Sequence, residues 1–64
     1  MSQNESRRTV RILKACGLNY KQIADLLGIR TGSLYNWLGG WFDLGADKLL
    51  KIQELAEKYV DDRS

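Results

Sequence analysis

The stretch YKQIADLLGIRTGSLYNWL, residues 20–38, decides the fold. Ile23, Ala24 and Leu27 fall on one face of a short helix, with Leu26 at its edge. Leu34, Trp37 and Leu38 do the same on a second. Asn19 and Gln22 have capping-box spacing, so the first helix is predicted over about residues 20–27. Gly28 stands at its end, where the chain needs a positive φ that costs glycine nothing. The second helix is predicted from near Thr31 to Leu38, ended by Gly39-Gly40. Either Arg30 or Thr31 takes its cap, and Thr31 is the better capper by residue type. Small Ala24 lets the two helices approach, while Ile23, Leu27, Ile29 and Leu34 fill the wedge between them. That is the steric recipe of a helix-turn-helix.

Working outward, an earlier helix is predicted from about Asn4 or Glu5 to Cys16. Ser2 and Glu5 form a second capping box, although Asn4 and Ser6 are also capping types. Val10, Leu13 and Cys16 recur at helical spacing, widened by Ile12 and Ala15, and Gly17 follows as the stop. Cys16 reads as a small buried hydrophobe. A last helix is predicted over about 46–60, preceded by Asp43 or Gly45 as cap. Its inner stripe is Leu49, Ile52, Ala56 and Tyr59, broadened by Leu50, Leu55 and Val60. Residues 61–64 are expected to fray. No proline interrupts any of this. Residues 1–64 are therefore expected to form one all-α helix-turn-helix domain of four helices, or at most five.

Composition narrows the function. The chain has 64 residues, no histidine and one cysteine. No Ser/His/Asp or Cys/His nucleophile system and no His/Cys zinc site can be assembled, so an enzyme is not expected, nor a metal or cofactor. A lone cysteine fits a reducing cytosol. No apolar run reaches the ~20 residues that cross a bilayer, and the polar start, Met1-Ser2-Gln3-Asn4-Glu5, has no signal-peptide core. The net charge is +2 but unevenly spread. Residues 1–32 carry Arg7, Arg8, Arg11, Lys14, Lys21 and Arg30 against Glu5 and Asp25, while residues 33–64 carry more acid than base. A basic half beside an acidic one suits a polyanion on one face, and it is also what ordinary solvated charge looks like.

The outward residues of the second predicted helix are Arg30, Thr31, Ser33, Tyr35 and Asn36. Asn36 can pair bidentately with adenine and Arg30 with guanine or a phosphate. Thr31 can meet a thymine methyl, and Tyr35 can lie on sugar or base edges. In the plainer alternative Thr31 only caps, Ser33 only starts the helix and Tyr35 is half-buried. Lys21, Gln22 and the N–H groups after Asn19 lie at a helix N-terminus, a natural phosphate clamp. Arg7, Arg8, Arg11 and Lys14 are read as one outer face of the first helix, either solvated or touching flanking phosphates. Trp41 and Phe42 follow a double glycine. One of them is expected to plug the gap between the third and fourth helices, with the other partly exposed, unless the pair forms a protein interface.

Residues 20–38 resemble the helix-turn-helix of the lambda-repressor-like group, the Cro and XRE-type regulators of phages and bacteria. Ala24, Gly28, Leu34 and Trp37 fall at that motif's alanine, glycine, aliphatic and late hydrophobic positions. Residues 46–59 look like the family's next helix. The chain departs from the pattern at Tyr20, where the family often has Gln, and at Gly39, where it often has Asn before Gly. The resemblance implies a small cytoplasmic transcription regulator of a bacterium or an infecting phage, acting by occupancy. It implies that Arg30, Thr31, Tyr35 and Asn36 reach bases or nearby phosphates; with outward Ser33 these are the expected base contacts, and Tyr20, Lys21, Gln22, Gly39 and Gly40 are the expected phosphate contacts. The expected partners are double-stranded DNA, a second copy of the chain on that DNA, and a second regulatory protein if Trp41 and Phe42 form an interface. Two other readings stay open: an adaptor or anti-repressor that uses the helix-turn-helix shape, and a DNA-targeting subunit of a packaging or recombination complex.

Overall fold

A computed structural model describes residues 2–60, so the expected fraying of residues 61–64 lies outside the described residues. Four helices follow one another: α1 Gln3–Ala15, α2 Tyr20–Leu27, α3 Thr31–Leu38 and α4 Ala46–Tyr59. The described residues contain no strand, and the chain is all-α. None of the described helices is long and apolar enough to cross a membrane.

Both predicted capping boxes form. At α1 the Glu5 N–H donates to Ser2 Oγ at 3.1 Å and the Ser2 N–H donates to Glu5 Oε1 at 3.0 Å, which starts the helix at Gln3, slightly earlier than expected. At α2 the Gln22 N–H donates to Asn19 Oδ1 at 2.7 Å and the Asn19 N–H donates to Gln22 Oε1 at 3.0 Å. Each satisfies a donor that the helix itself cannot.

The α2–α3 turn is set by Gly28 at φ +76°. Its N–H donates to the Asp25 carbonyl and the Ile29 N–H to the Ala24 carbonyl, a left-handed helix stop that swings Ile29 back onto the core. This reversal leaves Arg30 as the N-cap of α3, because its carbonyl takes the first helical bond, from the Leu34 N–H at 3.0 Å. Thr31, the better capper by type, is instead the first helical residue, and no side chain caps α3. Gly45 caps α4, likewise without a side-chain bond.

Val10 and Leu13 from α1, Ile23, Ala24 and Leu27 from α2, Leu34 and Trp37 from α3, Leu44, and Ile52 and Leu55 from α4 form one core. Burying a large apolar side chain contributes about 1.5–3 kcal/mol, so the few in so short a chain each matter. Several sequence expectations need correction. Cys16 is exposed: it is the C-cap of α1, where the chain leaves the helical period, and Leu18 beyond the turn takes the inward place. Ile12, Ala15 and Leu50 are exposed as well. Neither Trp41 nor Phe42 plugs the gap beside α4, being 82% and 41% exposed; Leu44 fills it. Arg7 does not share the outer face of α1 with Arg8 and Arg11 but turns inward, its side chain 13% exposed.

Candidate nucleic-acid interface

α3 has two contrasting faces. Its inner face is fixed by polar contacts as well as apolar ones. The Trp37 ring is fully buried, and its Nε1–H donates to Gln3 Oε1 at 2.8 Å. The same Gln3 oxygen accepts the Leu44 N–H at 3.0 Å, while Gln3 Nε2 donates to the Leu44 carbonyl at 2.8 Å. One glutamine at the start of α1 thus holds both α3 and the loop that follows it.

Arg7 adds a second tie one turn along α1. Its Nε–H donates to the Trp37 carbonyl at 2.7 Å, Nη1 to Asn4 Oδ1 at 3.0 Å and Nη2 to the Phe42 carbonyl at 3.2 Å, with Asp43 Oδ1 3.6 Å away. The guanidinium also lies 5.3 Å from the centroid of the Trp37 ring. A cation on the last carbonyls of α3 opposes the negative end of the helix dipole.

The outer face carries Arg30, Thr31, Ser33, Tyr35 and Asn36. Arg30, Tyr35 and Asn36 are exposed, and Thr31 and Ser33 are half-buried. Among the described residues none of these five side chains makes a hydrogen bond or an ion pair within the chain. The stretch from Arg30 to Phe42 contains no acidic residue. Gly32, in the first turn, has nothing within 4 Å of where a Cβ would stand, so no packing within the chain requires a glycine there.

The N-terminus of α2 borders this face. Tyr20 is half-buried, and its ring meets that of Tyr35 edge to face, with centroids 5.4 Å apart. The Lys14 ammonium lies 5.3 Å from the centroid of the Tyr20 ring. Lys21 is exposed, while Gln22 has its carbonyl oxygen engaged in the capping box. Lys48 of α4 brings its Nζ to 3.7 Å from the Cβ position at Gly28, which places a further cation over the α2–α3 turn.

At the other end of α3 the helix stops as α2 does. The Gly40 N–H donates to the Trp37 carbonyl and the Trp41 N–H to the Asn36 carbonyl, both at 3.0 Å, with Gly40 at φ +87°. The residue after such a stop usually packs back on its own helix, as Ile29 does. Trp41 instead lies over Gly39, whose Cβ would stand 3.2 Å from Trp41 Cδ1, and leaves most of its indole in solvent. Phe42 is exposed next to it.

The structure therefore brings Arg30, Thr31, Ser33, Tyr35 and Asn36 onto one helix, with Tyr20 alongside. Gly39 and Gly40 form its exposed terminal turn, with Trp41 and Phe42 beyond. Sequence reasoning missed Gln3 and Lys48, and it placed Arg7 on the outer face of α1. Gln3 carried no signal, since a glutamine near a chain start resembles any solvated polar residue. Comparison of the chain with family models, with curated proteins and with solved structures finds no match.

Proposed function

We propose that this chain binds double-stranded DNA by laying the outer face of α3 in the major groove, as a small transcription regulator of the lambda-repressor-like kind. One observation carries the reading: a helix whose inner face is tied down by Gln3, Arg7 and the core has an outer face free of acid and of internal hydrogen bonds. Unpaired donors and acceptors held on a rigid rod are what direct base readout requires. Asn36 pairs with an adenine edge. Arg30, at the N-terminal end, pairs with guanine or a phosphate, while Thr31 and Ser33 meet neighbouring edges. Tyr35, braced by Tyr20, lies along the sugar edge. Lys21 and the Gly39-Gly40 turn contact phosphate.

Two copies on one duplex would place their α3 helices about 34 Å apart and read a palindrome. Regulation then follows from occupancy of the site. Selection from a pool of random duplexes at moderate salt tests this. Recovery of a short sequence, repeated in inverted orientation, is the expected result, and a pool that stays random contradicts it.

A second reading has an observation of its own. Trp41, 82% exposed beside exposed Phe42, is an apolar surface that the fold leaves uncovered. An adaptor or anti-repressor would use it to hold another regulator. Such a protein would capture that partner, lose it on W41A/F42A and bind no duplex at about 50 mM salt, where electrostatic DNA binding is strong.

A further inference from the structure

We propose that the open groove between α1 and the turn ending α3 holds backbone phosphate of the bound duplex through Arg8 and Arg11; this rests on the DNA-binding reading above. The groove is lined by Asn4, Arg7, Arg8 and Arg11 on one side and by Leu38, Gly39 and Gly40 on the other. The three arginines in it are not equivalent. Arg7 is committed: its Nε and both Nη atoms donate within the chain, and Asp43 balances its charge. Arg8 and Arg11 are exposed and, among the described residues, make no hydrogen bond or ion pair. They stand one turn apart on α1, which puts their Cβ atoms about 5–6 Å from each other on one face.

On the opposite wall Trp41 lies over Gly39, and the open backbone is at Gly40. Gly40 has nothing within 4 Å of its Cβ position, so a ligand's own backbone can come close there. The C-terminus of a helix ordinarily repels an anion. Here three of the last four carbonyls of α3 have partners: Tyr35 accepts from Gly39, Asn36 from Trp41, and Trp37 from both Arg7 and Gly40, which weakens that repulsion. The acids nearby do not close the groove. Asp43 faces Arg7, and Glu5, beside Arg8, is held by the Ser2 N–H. Free guanidinium forks across a groove from the open Gly40 match phosphate oxygens, which Arg binds bidentately. Their place at the end of α3 puts the clamp next to the bases that α3 would read, on a different element from Lys21.

The test uses the full chain and duplex binding measured over a series of salt concentrations. The R8Q/R11Q variant should melt like wild type, because both side chains are exposed. Its plot of log K against log salt should be shallower by at least about 0.9, one released counterion per phosphate lost, with base preference unchanged. The K51Q/K58Q variant, which removes the same charge from α4, should keep the wild-type slope. A wild type that binds duplex while R8Q/R11Q keeps the same slope overturns the groove and spares the DNA-binding reading. Equal loss of slope in both variants also overturns it, since net charge alone then explains the effect. A wild type with no salt-dependent duplex binding overturns both proposals.

Discussion

The two faces of α3 differ in how completely the chain satisfies them. On the inner face the buried Trp37 indole N–H, the Trp37 carbonyl and the backbone of the next loop all have partners, supplied by Gln3 and Arg7 from thirty or more residues away in sequence. On the outer face, among the described residues, no side chain makes a hydrogen bond or ion pair, only Tyr35 meets another ring, no side chain caps the helix, and a glycine sits where nothing within the chain needs one. The contrast teaches that the long-range side-chain hydrogen bonds among the described residues all hold α3 or the loop after it, while its exposed surface is left unmatched. Breaking the inner face should therefore cost stability. Changing the outer face should cost binding alone.

The largest expected effect is Trp37→Ala. Removing a fully buried Trp typically costs about 3–5 kcal/mol, against a total stability on the order of 3–10 kcal/mol for a domain of this size. Loss of helical signal by circular dichroism at room temperature, or a much lower melting temperature, is the expected outcome. A melt close to wild type would mean that α3 is not held through this ring. Gln3→Leu comes next. It leaves the Trp37 N–H and the Leu44 backbone groups without their partners, at about 1–3 kcal/mol for each buried group left unpaired. Its melt should fall by several degrees, while Asn4→Ala, one residue along, should change it little.

Gly32→Ala sharpens the comparison because its two effects have opposite signs. Alanine in a helix is favoured over glycine by up to about 1 kcal/mol, and the site has room for a methyl group. The variant should melt higher and bind duplex more weakly, since the methyl stands on the face that approaches the bases. Unchanged affinity would place the contact elsewhere on α3.

The smallest effect concerns pH. The Glu5 carboxyl is held below the ordinary value, first by the Ser2 backbone N–H, then by the Ser2 side chain. A depressed carboxylate stabilises the fold fully above its unfolded pKa, about 4.3, and that contribution is lost as pH falls through the lowered folded value. Fraying at the start of α1 should therefore appear only in acid, seen as faster amide exchange near Glu5. In Glu5→Gln, which keeps the capping geometry, the acid dependence should vanish.

How much of this was legible in the sequence follows from the range of each interaction. The capping boxes, the stop at Gly28 and the inward stripes of α2 and α3 are set within a few residues, and pattern alone locates them. Arg7 was read with its basic neighbours as one outer face, because its partners, the carbonyls of Trp37 and Phe42, come near only once the chain has folded. Size suggested that an aromatic would fill the gap beside α4. The left-handed stop at Gly40 instead turns Trp41 outward, and Gln3 holds the Leu44 backbone so that a smaller side chain fills it. Cys16 looked inward by spacing, but the helix ends on it. At the candidate site the outward residues of α3 were legible because helical period alone separates the faces; the pinning of that helix was not.

The most direct measurement is the affinity of wild type and Asn36→Ala for the selected duplex and for single-base variants of it, across a range of salt. Wild type should bind with log K falling linearly in log salt. Asn36→Ala should keep that slope and its melting temperature while losing about 1–3 kcal/mol of preference at one base pair. If Asn36→Ala reads every base pair as wild type does, or if wild type binds no duplex at low salt, the outer face of α3 is not a surface that reads DNA.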